Sequence, residues 1–257
     1  MKLHYQRLGQ GTPLVILHGL FGSLENWGLQ AKALSEHFDI LAVDLRNHGR
    51  SPHAEQIDYS LMSADLLELL DSLSLDKVLL MGHSMGGKVA MQFALDHPER
   101  VEKLVVVDIA PVAYAPRHDE VIAGLKAIPL ESLKSRREAD EILGQYVDEE
   151  ATRAFLLKNL YRNEEKQFAW RMNLNALAER YADIGAAPAR SGAPYAGPVL
   201  FIKGGDSDYL QAEHQQPIQD NFPKAGFKII AGAGHLPHVE KPAIFTRLVQ
   251  QFFTPAD

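Results

Sequence analysis

A chain of 257 residues is long enough to bury roughly 70–75% of its unfolded surface, and its length suits one large domain or two small ones. At 46% hydrophobic and 23% charged it belongs to the ordinary globular class, which excludes disordered and fibrous readings. The net charge of −7 argues against a nucleic-acid binder, which needs a basic face; the most charged stretch, 111–192, holds 12 Lys/Arg against 13 Asp/Glu and is close to neutral. The absence of cysteine removes disulfides, thiolate catalysis and cysteine-based metal sites. Met1–Arg7 lacks the apolar core of a signal peptide, and no apolar run approaches the roughly 18–20 residues of a membrane span. The expectation is a cytoplasmic, soluble protein.

In chain order, Lys2–Leu8 alternates and predicts an antiparallel edge strand. Short continuous apolar runs follow at Leu14–Leu17, Ile40–Val43, Val78–Met81, Leu104–Val107, Val199–Ile202 and Lys228–Ile230. Between them lie helix-period stretches, Ser60–Leu73, Gly87–Leu95, Ala212–Phe222 and Pro242–Phe252. In the first of these, Leu61, Met62, Leu66, Leu69, Leu70 and Leu73 recur at spacings of three and four. Buried strands alternating with amphipathic helices predict an α/β fold with a mostly parallel sheet. The alternation breaks after Ala110. From Pro111 to Gly192 the pattern is helical only, with helices expected at His118–Ala127, Arg136–Tyr146, Glu149–Leu160 and Phe168–Tyr181, then a Pro/Gly/Ala-rich return. The expected domains are a core of residues 1–110 and 193–257 and a helical insertion of 111–192.

The segment that carries chemistry is Val78-Leu79-Leu80-Met81-Gly82-His83-Ser84-Met85-Gly86-Gly87. A G-x-S-x-G directly after a strand and directly before a helix marks a nucleophilic serine on a sharp, strained turn. Side chains two residues either side of Ser84 would collide, hence glycine at both places. A cap residue would not need those glycines, so Ser84 reads as nucleophile. One oxyanion-hole amide is expected from Met85, the residue after it, and the other from Leu20, in the loop His18-Gly19-Leu20-Phe21-Gly22 that follows Leu14–Leu17.

Together with Asp44-Leu45-Arg46-Asn47-His48-Gly49-Arg50-Ser51 and Gly234-His235-Leu236-Pro237-His238, these motifs resemble the α/β-hydrolase superfamily across the whole chain. Val107-Asp108-Ile109-Ala110-Pro111-Val112 and Gly204-Gly205-Asp206-Ser207 resemble more narrowly the YbfF-type esterases. The resemblance implies an α/β-hydrolase fold, with an eight-stranded mostly parallel sheet and a helical cap inserted after the sixth strand.

His235 stands on the Gly-rich loop between the last strand and the last helix, where a base can reach back to the serine. The other ten histidines read as structural, His238 as a helix-start residue. The acid is open on the residues alone. Asp108 closes a buried strand and needs partners there, while Asp206 and Asp208 flank the usual acid position, which is occupied by Ser207. Asp44 reads as a turn scaffold. The resemblance to the YbfF-type esterases implies Asp108 as the acid and Ser207 as an auxiliary hydrogen-bonding residue. It also implies a carboxylic ester, or an acyl thioester, as small-molecule substrate, with no cofactor and no metal. Tyr114, Phe155, Leu160, Tyr161 and Trp170 are candidates for an acyl pocket, and Arg117, Arg136 and Arg137 for an anionic substrate. The competing readings are a carbon–carbon bond hydrolase with the same triad and a non-catalytic binding protein on the same fold.

Overall fold

Strand β1 (Tyr5–Leu8) is the expected antiparallel edge, paired with β3 (Asp39–Val43). Between them in sequence, β2 (Pro13–Leu17) sends Val15 and Leu17 to one face and Leu14 and Ile16 to the other. All four are fully buried in this computed structural model, which describes residues 1–254. That is why the run is continuous and not alternating. β4 (Val78–His83), β5 (Val101–Val107), β8 (Val199–Gly204) and β9 (Ala225–Ile230) complete the sheet, in the order β1-β3-β2-β4-β5-β8-β9, with every pair but the first parallel. The labels β6 and β7 belong to a separate hairpin, Leu160–Arg162 with Phe168–Trp170.

Helices cover both faces. On one side α1 (Gly28–Leu34) and α11 (Pro242–Phe253) bring Leu34, Phe245, Val249 and Phe253 against Leu14, Ile16, Val105 and Val107. On the other, α2 (Tyr59–Ser72) and α3 (Met85–Asp96) bury Met62, Leu66, Val89 and Phe93 against Val15, Leu80 and Val106. Helix α2 starts where the Asp58 side chain accepts from the Leu61 amide at 2.7 Å, an N-cap that satisfies one of the first-turn donors.

The sheet has seven strands, not the eight implied by the resemblance. Residues 1–4 are not paired as a further strand, because the His4 amide donates to Ser51 Oγ at 2.8 Å and its carbonyl accepts from Asp44 at 2.9 Å. The His4 backbone is thereby committed to the loop after β3. The long insertion therefore follows the fifth strand in chain order, and it leaves and re-enters between the neighbours β5 and β8.

Within the insertion lie α4 (Asp119–Ala127), α5 (Arg136–Leu143), α6 (Glu150–Leu156), the β6–β7 hairpin, α7 (Leu174–Glu179) and α8 (Tyr181–Gly185). The reading of this stretch as helical only fails at the hairpin. Lys166 takes φ 62° in its turn, and the Asn163 side chain accepts from Gln167 at 2.9 Å. Strands of three residues are too short to show a period of two, and helical spacing from Leu174 onward masks them. Gln215–Asn221 (α9) and Pro237–Glu240 (α10) complete the helices. No helix among the described residues is long and apolar enough to cross a membrane.

Candidate active site

The register brings the carboxyl ends of β4, β5 and β8 level, with His83 beside Val107 and Val107 beside Ile202. Chemistry-bearing residues one to five positions beyond the strand ends therefore share a crevice. Ser84 follows β4 directly at φ 51°, ψ −120°, outside the regions a side-chain-bearing residue ordinarily takes. Its amide donates to Val107 O at 3.0 Å, and its carbonyl accepts from Lys88 at 3.0 Å to start α3. A Cβ on Gly82 would lie 2.1 Å from the Gly86 carbonyl, and one on Gly86 would lie 2.4 Å from that of His18. Both glycines are thus demanded by contact, as the spacing predicts.

His235 lies in the loop after β9 and joins two of the expected partners. Its Nε2 is 3.0 Å from Ser84 Oγ, and its Nδ1 is 2.8 Å from Asp108 Oδ2. Asp108 is fully buried and also takes a positive φ, 52°. Its Oδ1 accepts from the Gly204 amide at 2.9 Å, and the Ser207 hydroxyl donates to Oδ2. Three donors thus surround a carboxylate with no exposed surface, which is how a buried charge is made tolerable. Asp206 and Asp208 are both exposed; Asp208 is held 2.8 Å from Arg117 instead. Asp108 is the carboxylate placed at the imidazole.

Neighbouring groups hold His235 in position. Tyr209 stacks on the His235 ring, with centroids 3.8 Å apart and planes 20° apart. The His83 Nε2–H donates to the His235 carbonyl at 2.7 Å. His83 is buried, and burial together with the nearby His235 and His238 keeps its pKa far below that of a free imidazole. His238 stacks on Trp27 at 4.2 Å, and burial lowers it to about 3. The only sequence signal for His83 was its place inside the Gly82–Gly86 motif.

The loop His18–Gly22 is braced in the same manner. His18 Nε2 accepts from the Leu45 amide at 3.0 Å, so its proton sits on Nδ1 and goes to Gly19 O at 2.8 Å. His48 accepts from the Phe21 amide at 3.2 Å and donates to Arg46 O at 2.9 Å. Burial lowers these two imidazoles to about 4 and about 3 respectively. Asp44 accepts from the amides of Leu24 and Arg50 at 2.8 and 2.9 Å, a turn scaffold as expected. Met85 opens α3, so its amide is one of the helix's unpaired first-turn donors. Leu20 and Met85 both border, with Ser84, a cavity of about 50 Å³ between the strand ends and the insertion.

Of the acyl-pocket candidates, only Tyr114 borders that cavity. Leu160 is fully buried, Phe155 and Trp170 pack on the apolar core, and the Tyr161 ring lies under Arg171 at 4.5 Å. Tyr59, Tyr181 and Ile184 take the places those residues were expected to fill. Among the three arginines, only Arg117 is at the cavity; Arg136 donates to the carbonyls of Leu157 and Leu160, and Arg137 pairs with Glu141 on the surface. Helical spacing marked these residues as buried without saying against what. Among the described residues no group of three or more His, Asp or Glu side chains is placed to hold a metal.

The family of the alpha/beta hydrolase fold matches residues 12–242. The chain belongs to that family. Within it, the chain is 38% identical to the esterase YbfF of Escherichia coli over 96% of its own length and 95% of the relative's. It is 42% identical to the mouse sn-1-specific diacylglycerol lipase ABHD11, over 93% of this chain and 80% of that one. A solved structure of a marine microorganism esterase superposes with a TM-score of 0.96 at 39% identity, covering 98% of this chain and 99% of the other.

Proposed function

We propose that this α/β hydrolase cleaves carboxylic esters, with acyl thioesters as a second substrate class, through an acyl-enzyme on Ser84. The observation that carries the reading is the line Asp108–His235–Ser84, joined at 2.8 and 3.0 Å beneath a cavity bordered by Leu20 and Met85. In this reading residues 1–110 and 193–257 are the catalytic core, and 111–192 the cap that closes the cavity. Esterases and a lipase among its relatives support the same reaction class.

Ser84 Oγ attacks the ester carbonyl while His235 Nε2 takes its proton. Asp108 accepts from Nδ1–H, which fixes the tautomer and stabilises the imidazolium that forms. Ser207, through its hydroxyl on the same carboxylate oxygen, keeps Asp108 turned toward the ring. The amides of Leu20 and Met85 receive the oxyanion, each donor contributing about 3 kcal/mol to the transition state. His235 then passes the proton to the leaving alcohol or thiol, and water releases the acyl group by the reverse sequence.

The test is a panel of p-nitrophenyl esters of graded chain length beside acyl-CoA thioesters, each assayed with the unmodified chain and Ser84→Ala. Saturable hydrolysis that disappears in Ser84→Ala is expected for esters of at least one chain length. Loss of thioester turnover alone would restrict the reading to oxygen esters, and no Ser84-dependent turnover of any ester would refute it.

A further inference from the structure

Lys88 sits one helical turn beyond Ser84 on the same face of α3, about 6 Å along the axis. It is only 2% exposed and borders the same cavity as Ser84. The other buried Lys or Arg among the described residues, Arg46, has a carboxylate, Asp65 at 2.6 Å. Lys88 forms no salt bridge among the described residues. Its ammonium donates to the carbonyls of Gly185 and Ala186 at 3.0 and 2.6 Å, and lies 4.7 Å from the centre of the Tyr114 ring and 5.6 Å from that of Tyr59. Those contacts are neutral, and they account for two of its three N–H donors. A buried charge without a counter-charge is costly enough that it is seldom kept without a partner. The leaving group must lie against His235, which reprotonates it. Lys88 lies against Tyr59 and the Gly185–Ala186 turn, in the cavity it shares with Ser84 and that His235 does not line.

We infer that Lys88 receives a carboxylate carried on the acyl chain, so that the preferred substrates are monoesters of short dicarboxylic acids. The inference rests on the ester-hydrolase reading above and names its substrate class. Ser84 and Lys88 then hold the two ends of one short diacid, the ester carbonyl at the nucleophile and the free carboxylate at the ammonium.

Proton linkage gives the inference a signature of its own. With no anion beside it, burial lowers Lys88 to about 7. Recognition of a carboxylate requires the protonated form, so it weakens as pH rises through that value in the free enzyme. The other ionisable groups at the cavity do not imitate this. Arg117 stays charged, burial keeps His118 low, and burial raises the phenols of Tyr59, Tyr114, Tyr181 and Tyr209. His235 serves both kinds of ester and cancels in a ratio.

The experiment measures kcat/KM by pH-stat for monomethyl succinate, glutarate and adipate, and for methyl butyrate, valerate and caproate, which carry a methyl where the diacids carry the carboxylate. The readout is the ratio within each pair. In the unmodified chain at least one ratio exceeds about ten at pH 6.5 and falls more than about tenfold by pH 8.5, the proportion of Lys88 protonated falling with it. Lys88→Met and Lys88→Gln bring that ratio to one or below, whereas Lys88→Arg keeps it above one. Preference for the alkyl ester at every length, or a ratio untouched by Lys88→Met, overturns the inference and leaves the esterase reading standing. If neither substituted lysine variant folds, the pH dependence of the ratio decides, and a flat ratio counts against it. Turnover of neither series beside Ser84-dependent hydrolysis of p-nitrophenyl esters overturns the inference alone, whereas no Ser84-dependent turnover of any ester refutes the esterase reading itself.

Discussion

Asp108 reaches the His235 ring because it closes β5 at a positive φ, beside the end of β8. Asn at this position keeps the shape but loses the charge that stabilises the imidazolium. In the serine-protease template the equivalent change lowers turnover by about 10⁴. A loss of that order is expected for Asp108→Asn, and less than about tenfold for Asp206→Asn and Asp208→Asn, whose carboxylates face solvent. Ser207→Ala should fall between, since it removes one neutral donor from a carboxylate with two others left. The check is kcat/KM on one ester for all four folded variants; an inactive Asp208→Asn beside an active Asp108→Asn would move the acid to the loop after β8. At this scale the meeting of Ser84 and His235 was legible from local motifs, each with its own turn chemistry. The carboxylate that meets His235 was not legible from the residues alone, because Asp108, Asp206 and Asp208 all follow strands that end at the same crevice. Lys88 went unread for a different cause: on a helix whose neighbours Val89, Ala90 and Met91 are all buried, one lysine looks like an ordinary interruption of an apolar face.

The strand-turn-helix unit β4–α3 shows how an element can be dictated by contact instead of propensity. Gly82 and Gly86 face each other across the turn, and α3 begins only because the chain can fold back at Ser84. A methyl on Gly82 would meet the Gly86 carbonyl at 2.1 Å, and backbone on both sides leaves nothing soft to give. Gly82→Ala should therefore cost about 3 kcal/mol or more, a fall of about 10 °C in Tm for a chain of this size. A thermal scan that left Tm within about 2 °C would show the turn to be looser than its geometry. Long elements were legible for the same kind of cause: β2, β3, β4, β5 and β8 are each buried over four or more successive residues and so carry unbroken apolar runs. The β6–β7 hairpin escaped because its three-residue strands have no period to detect, and the edge strand starts at Tyr5 instead of Lys2 because the His4 backbone serves the loop after β3.

Across the whole molecule, four imidazoles, His18, His48, His83 and His238, are buried and kept neutral by burial. Their folded pKa values lie below the ordinary 6.5, so as pH falls the unfolded chain takes up protons that the folded chain refuses. Stability is therefore lost progressively from about pH 6.5 downward, toward pH 4 to 3 for those whose values reach that range. At pH 5 the loss is about 2 kcal/mol for each of His18, His48 and His238, together comparable to the whole stability of a typical domain. The urea midpoint should drop steeply between pH 7.5 and 5, and a flat midpoint would contradict the neutral, buried assignment. The same buried histidines brace the loops that present Leu20 and His235, so the fold and the site should fail together in acid. In the proposed mechanism these arrangements serve one activated oxygen, Ser84 Oγ, and a fluorophosphonate probe reads it directly. Intact-protein mass and peptide mapping after labelling should show one phosphonyl adduct, on Ser84, with ester hydrolysis lost in step with labelling, and a folded Ser84→Ala protein should neither label nor retain more than roughly 10⁻⁴ of the turnover. An adduct on another residue, or hydrolysis surviving in folded Ser84→Ala, would contradict the account.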